Sequence, residues 1–340
     1  MNTRKRKSFK VNNELIKLLE MIDGKTTTYQ ICKLMKDNYN VDDDEVKSIL
    51  THLENQKIIT KVNFNTNIIG CDDIKRYDRQ INYFSEFLQS EELALQAQKK
   101  LMDSKIVIFG CGAIGGVIAC QLVMAGARNI ILYDYDIVDQ SDVSRHIYFN
   151  NKNFKKSKSE VLKQTLQDID NRVNITTVDE KMNTKTNIEN IISNNDFIVN
   201  TLDEPYIGYT SCKISRMCIK YKKAHYIVGG FDAHLASTGE IIIPGITPCV
   251  DCYATYFGEK LKGWKPKKHP VEDRSMQIGG ISSMSLFSAS FATIEIIKYI
   301  CGLIDMQDKN NYKTRGEMLF DSMELTYLNV KRDANCLICG

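Results

Sequence analysis

The chain has 340 residues, 43% of them apolar and 26% charged, enough apolar material for one large domain with an appendage or for two ordinary domains, which excludes a mainly disordered scaffold. Its 45 Lys and Arg residues stand against 42 Asp and Glu, a formal charge of +3, so the basic footprint of a duplex-binding protein is missing and nucleic acid is not the expected partner. Eleven cysteines and a basic start (Arg4, Lys5, Arg6, Lys7) that runs into Asn12, Asn13, Glu14 and Lys17 instead of an apolar leader core point to a reducing, cytoplasmic setting.

Residues 1–62 read as a small helical module. Leu15, Ile16, Leu18 and Leu19 line one helix face that stops at Asp23-Gly24, and Thr28 caps a second helix carrying Ile31, Leu34 and Met35. Asp42, Asp43 and Asp44 place carboxylates at the N-terminus of a third helix, with Val46, Ile49, Leu50 and Leu53 behind them. A strand over residues 57–62 completes the order of a winged helix-turn-helix. The third helix is the one that would enter a major groove, and its opening Asp42-Asp43-Asp44-Glu45 faces phosphate with the wrong sign of charge, so DNA binding is disfavoured. Residues 63–103 read as a polar connection holding Arg76-Tyr77-Asp78-Arg79-Gln80, then a helical segment over 90–100.

Residues 104–340 alternate strand and helix patterns. Residues 106–109, 130–133, 175–178 and 197–199 are strand-like with helical stretches between them, which predicts an α/β domain with a mostly parallel, Rossmann-like sheet. The 22 residues 106–127 are apolar enough to suggest a membrane span, but they hold Gly110, Gly112, Gly115, Gly116 and Gly126. Strand, turn and buried helix account for them better, and no membrane is expected as partner. Residues 241–243 continue the strand series, 260–276 form a basic, Pro-containing loop expected to be mobile, and 281–302 form a last long helix.

Gly110-Cys-Gly112-Ala-Ile-Gly115 follows a strand and opens a helix, and Asp134 ends the next strand 19 positions after Gly115. Glycines there let a phosphate approach backbone N–H groups at a helix N-terminus, and the acid suits ribose hydroxyls; the pattern alone fits NAD or ATP. Further on come Asp136, Ser144-Arg145-His146, Lys158 thirteen residues beyond Arg145, and Asp203 after the strand at 197–199. Cys249-x-x-Cys252 and Cys336-x-x-Cys339 form a second constellation, whose paired thiolates would fill all four positions of a structural Zn²⁺.

Two family resemblances follow from these residues. Residues 18–59 resemble the PqqD-like precursor-recognition domains of ribosomal peptide biosynthesis, which implies a precursor peptide added as a strand beside the third helix. From Arg76 to Gly340, the order of RYxRQ-like, GxGxxG, Asp-x-Asp, Arg145, Lys158 and Asp203 elements resembles the ThiF/MoeB/MccB branch of the ubiquitin-activating superfamily. That resemblance implies ATP or CTP as nucleotide, with Gly110, Gly112 and Gly115 on the phosphates and Asp134 and Asp136 in the binding set, Asp134 on the ribose. It implies Arg145 and Lys158 as catalytic cations on the triphosphate, Asp203 as the Mg²⁺ ligand, and Arg79 reaching the active site of the other subunit of a homodimer.

The sequence departs from that pattern at Asp142-Val143, where the family has Asn-Leu, and at His146, where it has Gln. Residues 258–280 lack the cysteine that sulfur-carrier activators often place there, and Asp203-Glu204-Pro205-Tyr206 resembles the microcin C-type peptide adenylyltransferases. The expected reaction is therefore activation of a precursor peptide's C-terminal carboxylate as an acyl-adenylate, leading in that branch to a phosphoramidate. The rival readings are a MoeB- or ThiF-like activator of a sulfur-carrier protein, and a non-catalytic partner that delivers a precursor peptide to a heterocyclase.

Overall fold

In the computed structural model, which describes residues 8–56, 58–59, 68–232, 235–265, 280–306, 308 and 312–340, the chain divides into two units, Met1–Asn65 and Thr66–Gly340. The first holds three helices: α1 (Asn13–Met21), α2 (Thr28–Tyr39) and α3 (Asp43–Asn55). Asn12 caps α1 by accepting from the Leu15 N–H at 2.9 Å. The cap of α2 is Thr27, one residue ahead of the expected Thr28, because Thr27 and Gln30 exchange side-chain and backbone bonds as a capping box. Asp43, Asp44 and Glu45 occupy the first turn of α3, the positive end of its dipole. Leu18, Ile31, Cys32, Met35, Val46 and Leu53 meet in the core of this unit. Of the strand expected over 57–62, only Ile58 and Ile59 are described, and they form a bend; the rest lies outside the described residues.

The second unit opens with a helix where a polar connection was expected. Ile74, Tyr77, Ile81 and Phe84 recur every three or four residues, so the segment buries one face as α4 (Cys71–Leu88) despite its charge. Then follow α5 (Glu91–Asp103), capped by Ser90, and β1 (Lys105–Phe109), α6 (Gly115–Ala125), β2 (Asn129–Tyr133), α7 (Lys158–Ile169), β3 (Asn174–Val178), α8 (Glu189–Ser193), β4 (Phe197–Asn200), α9 (Ile207–Lys220) and β5 (Ala224–Ile227). These five strands are parallel in the order β3-β2-β1-β4-β5. Beyond them β6 (Phe231–Asp232), β7 (Leu235–Ile242), β8 (Gly316–Leu319) and β9 (Leu325–Tyr327) pair antiparallel and extend the sheet past β5. Two more helices, α10 (Val250–Lys260) and α11 (Ser282–Cys301), complete the unit. Most of the basic loop expected over 260–276 lies outside the described residues.

The alternation of β1 shows why its residues are apolar throughout. Ile106 and Ile108 face a core shared with α4, α5, α6, α7 and α11, whereas Val107 and Phe109 face a second core shared with α8 and α9. The helix α11 is apolar and long enough to cross a membrane by length and composition, and it buries Ala289, Ala292, Ile296 and Ile300 in the first of these cores. The chain runs outward from β1 through β2 to β3 and then returns to the other side of β1 as β4. Between β1 and β4 the loops at the C-terminal strand ends therefore part, and such a switch point is where open α/β sheets bind ligands.

Candidate functional site

The strand ladders run past the strand ends and fix the loops of this crevice. The Gly110 N–H donates to Tyr133 O at 2.8 Å, the Thr201 N–H to Phe109 O at 2.7 Å and the Asp134 N–H to Val178 O at 3.0 Å. Gly110 then turns the chain with φ +97°, and a Cβ at Gly115 would lie 2.0 Å from Gly110 O. These two glycines are required by the protein's own packing. Gly112 is not: a Cβ there would meet only His146 Nε2, at 4.0 Å. Its missing side chain leaves room for something other than this chain. The Tyr148 hydroxyl pins the loop from behind by donating to the carbonyls of Cys111 at 3.0 Å and Gly112 at 2.5 Å.

Both carboxylate oxygens of Asp134 accept backbone N–H groups, from Cys111 at 2.6 Å and Asp136 at 2.8 Å. Burial pushes its carboxyl up, against those two bonds. Asp134 thus ties the end of β2 to the glycine loop. Beside it Lys158 Nζ lies 2.6 Å from Asp136 and 3.2 Å from Asp142. Burial opposes the Lys158 charge, but the two acids hold its pKa above the usual value. Asp142 is also buried; burial would raise its carboxyl, yet the Asp139 N–H and the Lys158 ammonium outweigh that and lower it. Arg145 reaches Asp142 at 3.4 Å. The acid that departs from the family's amide is therefore neutralised from within, by the two cations expected at the triphosphate.

On the β4 side Thr201 Oγ1 donates to the carbonyls of Phe109 and Gly110, both at 3.0 Å, and so binds this loop to the glycine turn. Asp203 follows it, exposed and without a hydrogen-bond or ion-pair partner among the described residues. Glu204 is engaged by Tyr135 and by Lys181 at 3.0 Å. The structure thus assembles Gly110, Gly112, Gly115, Asp134, Asp136, Arg145, Lys158 and Asp203 around one crevice. Arg79 is left out of it. Gln80 anchors that stretch of α4 to Ala125 O at the far end of α6, about 15 Å along the helix axis from Gly115, and Arg79 is exposed there. Tyr148 and Thr201 were not foreseen from the sequence. Thr201 carries a local signal, being a polar residue just past the end of a buried strand, whereas Tyr148 carries none.

The four cysteines expected to hold a metal converge away from this crevice. Their sulfurs all lie within 4.8 Å of one another, with Cys249–Cys252 at 3.8 Å, Cys249–Cys336 at 3.6 Å and Cys252–Cys339 at 3.5 Å. Tetrahedral zinc with Zn–S bonds of about 2.3 Å needs sulfur edges of about 3.8 Å. The donor set fits that ion and, with four thiolates, closes its coordination shell.

The ThiF family matches residues 77–338. The heterocyst protein HesA of Trichormus variabilis is 24% identical over 273 residues, 79% of this chain and 89% of that protein. The sulfur carrier protein ThiS adenylyltransferase of Escherichia coli is likewise 24% identical over 79% of this chain and 96% of its own length. The crystal structure of E. coli MccB with AMPCPP and selenomethionyl MccA superposes with a TM-score of 0.71 at 20% identity, covering 96% of this chain and 89% of that one.

Proposed function

The chain belongs to the ThiF family, and from that premise we propose that it is a nucleotide-dependent adenylyltransferase that activates the C-terminal carboxylate of a ribosomally made precursor peptide. The observation that carries the reading is the crevice itself: an open glycine loop at Gly112, flanked by Lys158 and Arg145, at the switch point of a parallel sheet. A peptide substrate is supported by extent. The likeness to MccB, solved with MccA, covers 96% of the chain, whereas the sequence matches to HesA and the ThiS adenylyltransferase cover 79%, a difference close to the size of the N-terminal unit. We assign that unit to peptide capture.

In the reaction a carboxylate oxygen attacks the α-phosphorus of ATP or CTP. The bond from that phosphorus to its bridging oxygen breaks, and the electron pair leaves with pyrophosphate. Lys158 and Arg145 stabilise the charge that accumulates on the leaving group. Lys158 reaches a phosphate by releasing Asp136, whose side chain is half exposed, while the buried Asp142 keeps the ammonium in place. Asp203, a free hard oxygen donor at the rim, would hold Mg²⁺, which when bound screens the triphosphate. The cysteine cluster takes no part in the chemistry.

The test is exchange of labelled pyrophosphate into ATP and into CTP, with short peptides ending in Asn and, in parallel, a folded carrier protein ending in Gly-Gly. Exchange with the peptides is expected. Exchange with the carrier alone would transfer the assignment to a sulfur-carrier activator, the reading that the named function of the E. coli relative favours. Exchange with neither would leave the N-terminal unit as the working part of a delivery protein.

Because α4 holds Arg79 at the far end of α6 from the glycine loop, we assign that arginine to the crevice of a second copy in a two-fold homodimer. Mixing Arg79→Ala with Lys158→Ala protein is then expected to regain about half of the native activity in verified mixed dimers, since one of their two sites has both residues intact. Mixed dimers as inactive as their parents would exclude a site shared between chains.

A further inference from the structure

His146 is 4% exposed, and its two ring nitrogens are unequal. Nδ1 lies 2.7 Å from the Asp142 carbonyl oxygen, which can only accept, so the ring proton sits on Nδ1 and Nε2 carries a lone pair. Nε2 is buried and has no partner among the described residues. The ring is held in place by stacking on Phe149 (5.0 Å, 27°) and by the edge of Tyr148 (5.7 Å, 90°). Nε2 lies 4.0 Å from the point where Gly112 lacks a Cβ. A buried, unpaired lone pair at the one glycine of the Gly110, Gly112 and Gly115 set whose open side the protein does not fill is unfavourable beside phosphate oxygens, which also only accept.

We propose that His146 takes up a proton when the nucleotide binds and donates it from Nε2 to a phosphate oxygen, so that nucleotide binding in this protein is coupled to protonation at the glycine loop. This rests on the reading of the crevice as a triphosphate site. The charged and titratable groups around the ring explain why the proton is absent beforehand and tolerated afterwards. On the 3-10 segment Gln140–Ser144 and the residue after it lie Asp142, its carboxylate 3.7 Å from Nδ1, and Arg145. Lys158, on α7 and 3.2 Å from the Asp142 carboxylate, adds a positive charge near the ring. Burial, reinforced by Lys158 and Arg145, holds the free imidazole down to about 4 despite Asp142, so the ring is neutral near pH 7. A triphosphate brings negative charge that reverses this balance, and Asp142 then partners an imidazolium. An acid and an imidazole here replace two neutral amides of the family pattern, and together they keep the occupied site balanced in charge.

The experiment is calorimetric titration of the full chain with the non-hydrolysable analogue AMPCPP and Mg²⁺, near pH 7, in buffers of different ionisation enthalpy, for the native protein and for His146→Gln. The native protein is expected to take up about one proton more per analogue bound than the variant, whose titration shares the analogue's own protonation. Relative to the variant, its affinity is expected to fall by up to about tenfold per pH unit as pH rises towards the pKa of the occupied site. Equal proton uptake in the two proteins, with or without loss of affinity, would overturn the proposal and leave Nε2 as an acceptor for a ribose hydroxyl. The ¹⁵N resonances of histidine in the native protein test the same point without a variant: the Nε2 signal is expected to move to the imidazolium position with analogue, and an unchanged signal in the saturated protein would refute the coupling. Failure of the native protein to bind the analogue at all would instead overturn the nucleotide-site reading beneath it.

Discussion

Lys158→Ala is expected to slow peptide-dependent pyrophosphate exchange by roughly 10²–10³, the loss that follows removal of one preorganised electrostatic group. The ammonium is well placed for that role because it is held before substrate arrives. Asp142, buried at 3% exposure, fixes it at 3.2 Å, and the more accessible Asp136 can be exchanged for a phosphate. The substitution also leaves Asp142 with Arg145 at 3.4 Å, the Asp139 N–H and the neutral His146 ring at 3.7 Å, and breaking a buried pair costs about 3–5 kcal/mol. Melting temperature must therefore be measured beside the rate. Exchange within about twofold of the native rate, in protein that remains folded, would remove Lys158 from the reaction.

Chelation of the metal, or Cys336→Ser, is expected to lower stability by several kcal/mol and to leave the nucleotide crevice chemically intact. Cys249 is the cap residue of α10 and Cys252 lies in its first turn, while Cys336 and Cys339 belong to the C-terminal segment. The cluster packs against Ile227, Ile242 and Val250. Losing the ion frees the C-terminal segment from α10 and exposes that apolar patch, so loosening starts at the end of the sheet beyond β5. Elemental analysis should find about one zinc per chain in protein purified without chelator. Absence of zinc, or a Cys336→Ser protein that melts like the native one, would remove the structural role.

Much of the sheet was legible because its signals are local. A strand buried on both faces must be apolar at every position, so 106–109, 130–133 and 197–199 stand out as short runs, and Gly110 marks the turn because only a residue without Cβ accepts its φ beside Thr201. The Cys-x-x-Cys pairs are local as well, since two ligands of one metal must leave the backbone a few residues apart. The weaker elements were read less well: only the end of β7, at 241–243, was foreseen, and β5, β8 and β9 were missed, because His225, Thr238 and Glu240 break the apolar pattern of β5 and β7 and find partners only in the folded sheet. Glu240, for instance, is buried against Arg315, 75 positions away, at 2.7 Å.

The contents of the site divide in the same way. Gly110, Gly112, Gly115 and Asp134 were named from spacing, because phosphate binding at a helix N-terminus demands a fixed order of glycines along a βαβ unit, whereas Lys158 and Asp203 were expected from the family resemblance. What spacing cannot express is which groups are already satisfied by the protein. Asp134 proved to spend both oxygens on backbone N–H groups, Asp142 proved to be neutralised by Lys158, and His146 proved to keep one nitrogen unpaired. By itself the sequence determined the α/β sheet, the glycine loop and the two cysteine pairs, all set by residues close along the chain. Only the tertiary structure decided how charge and hydrogen bonds are shared in the crevice, because hydrogen bonds and ion pairs act over a few ångströms and their partners come from loops that the sheet, not the local sequence, brings together.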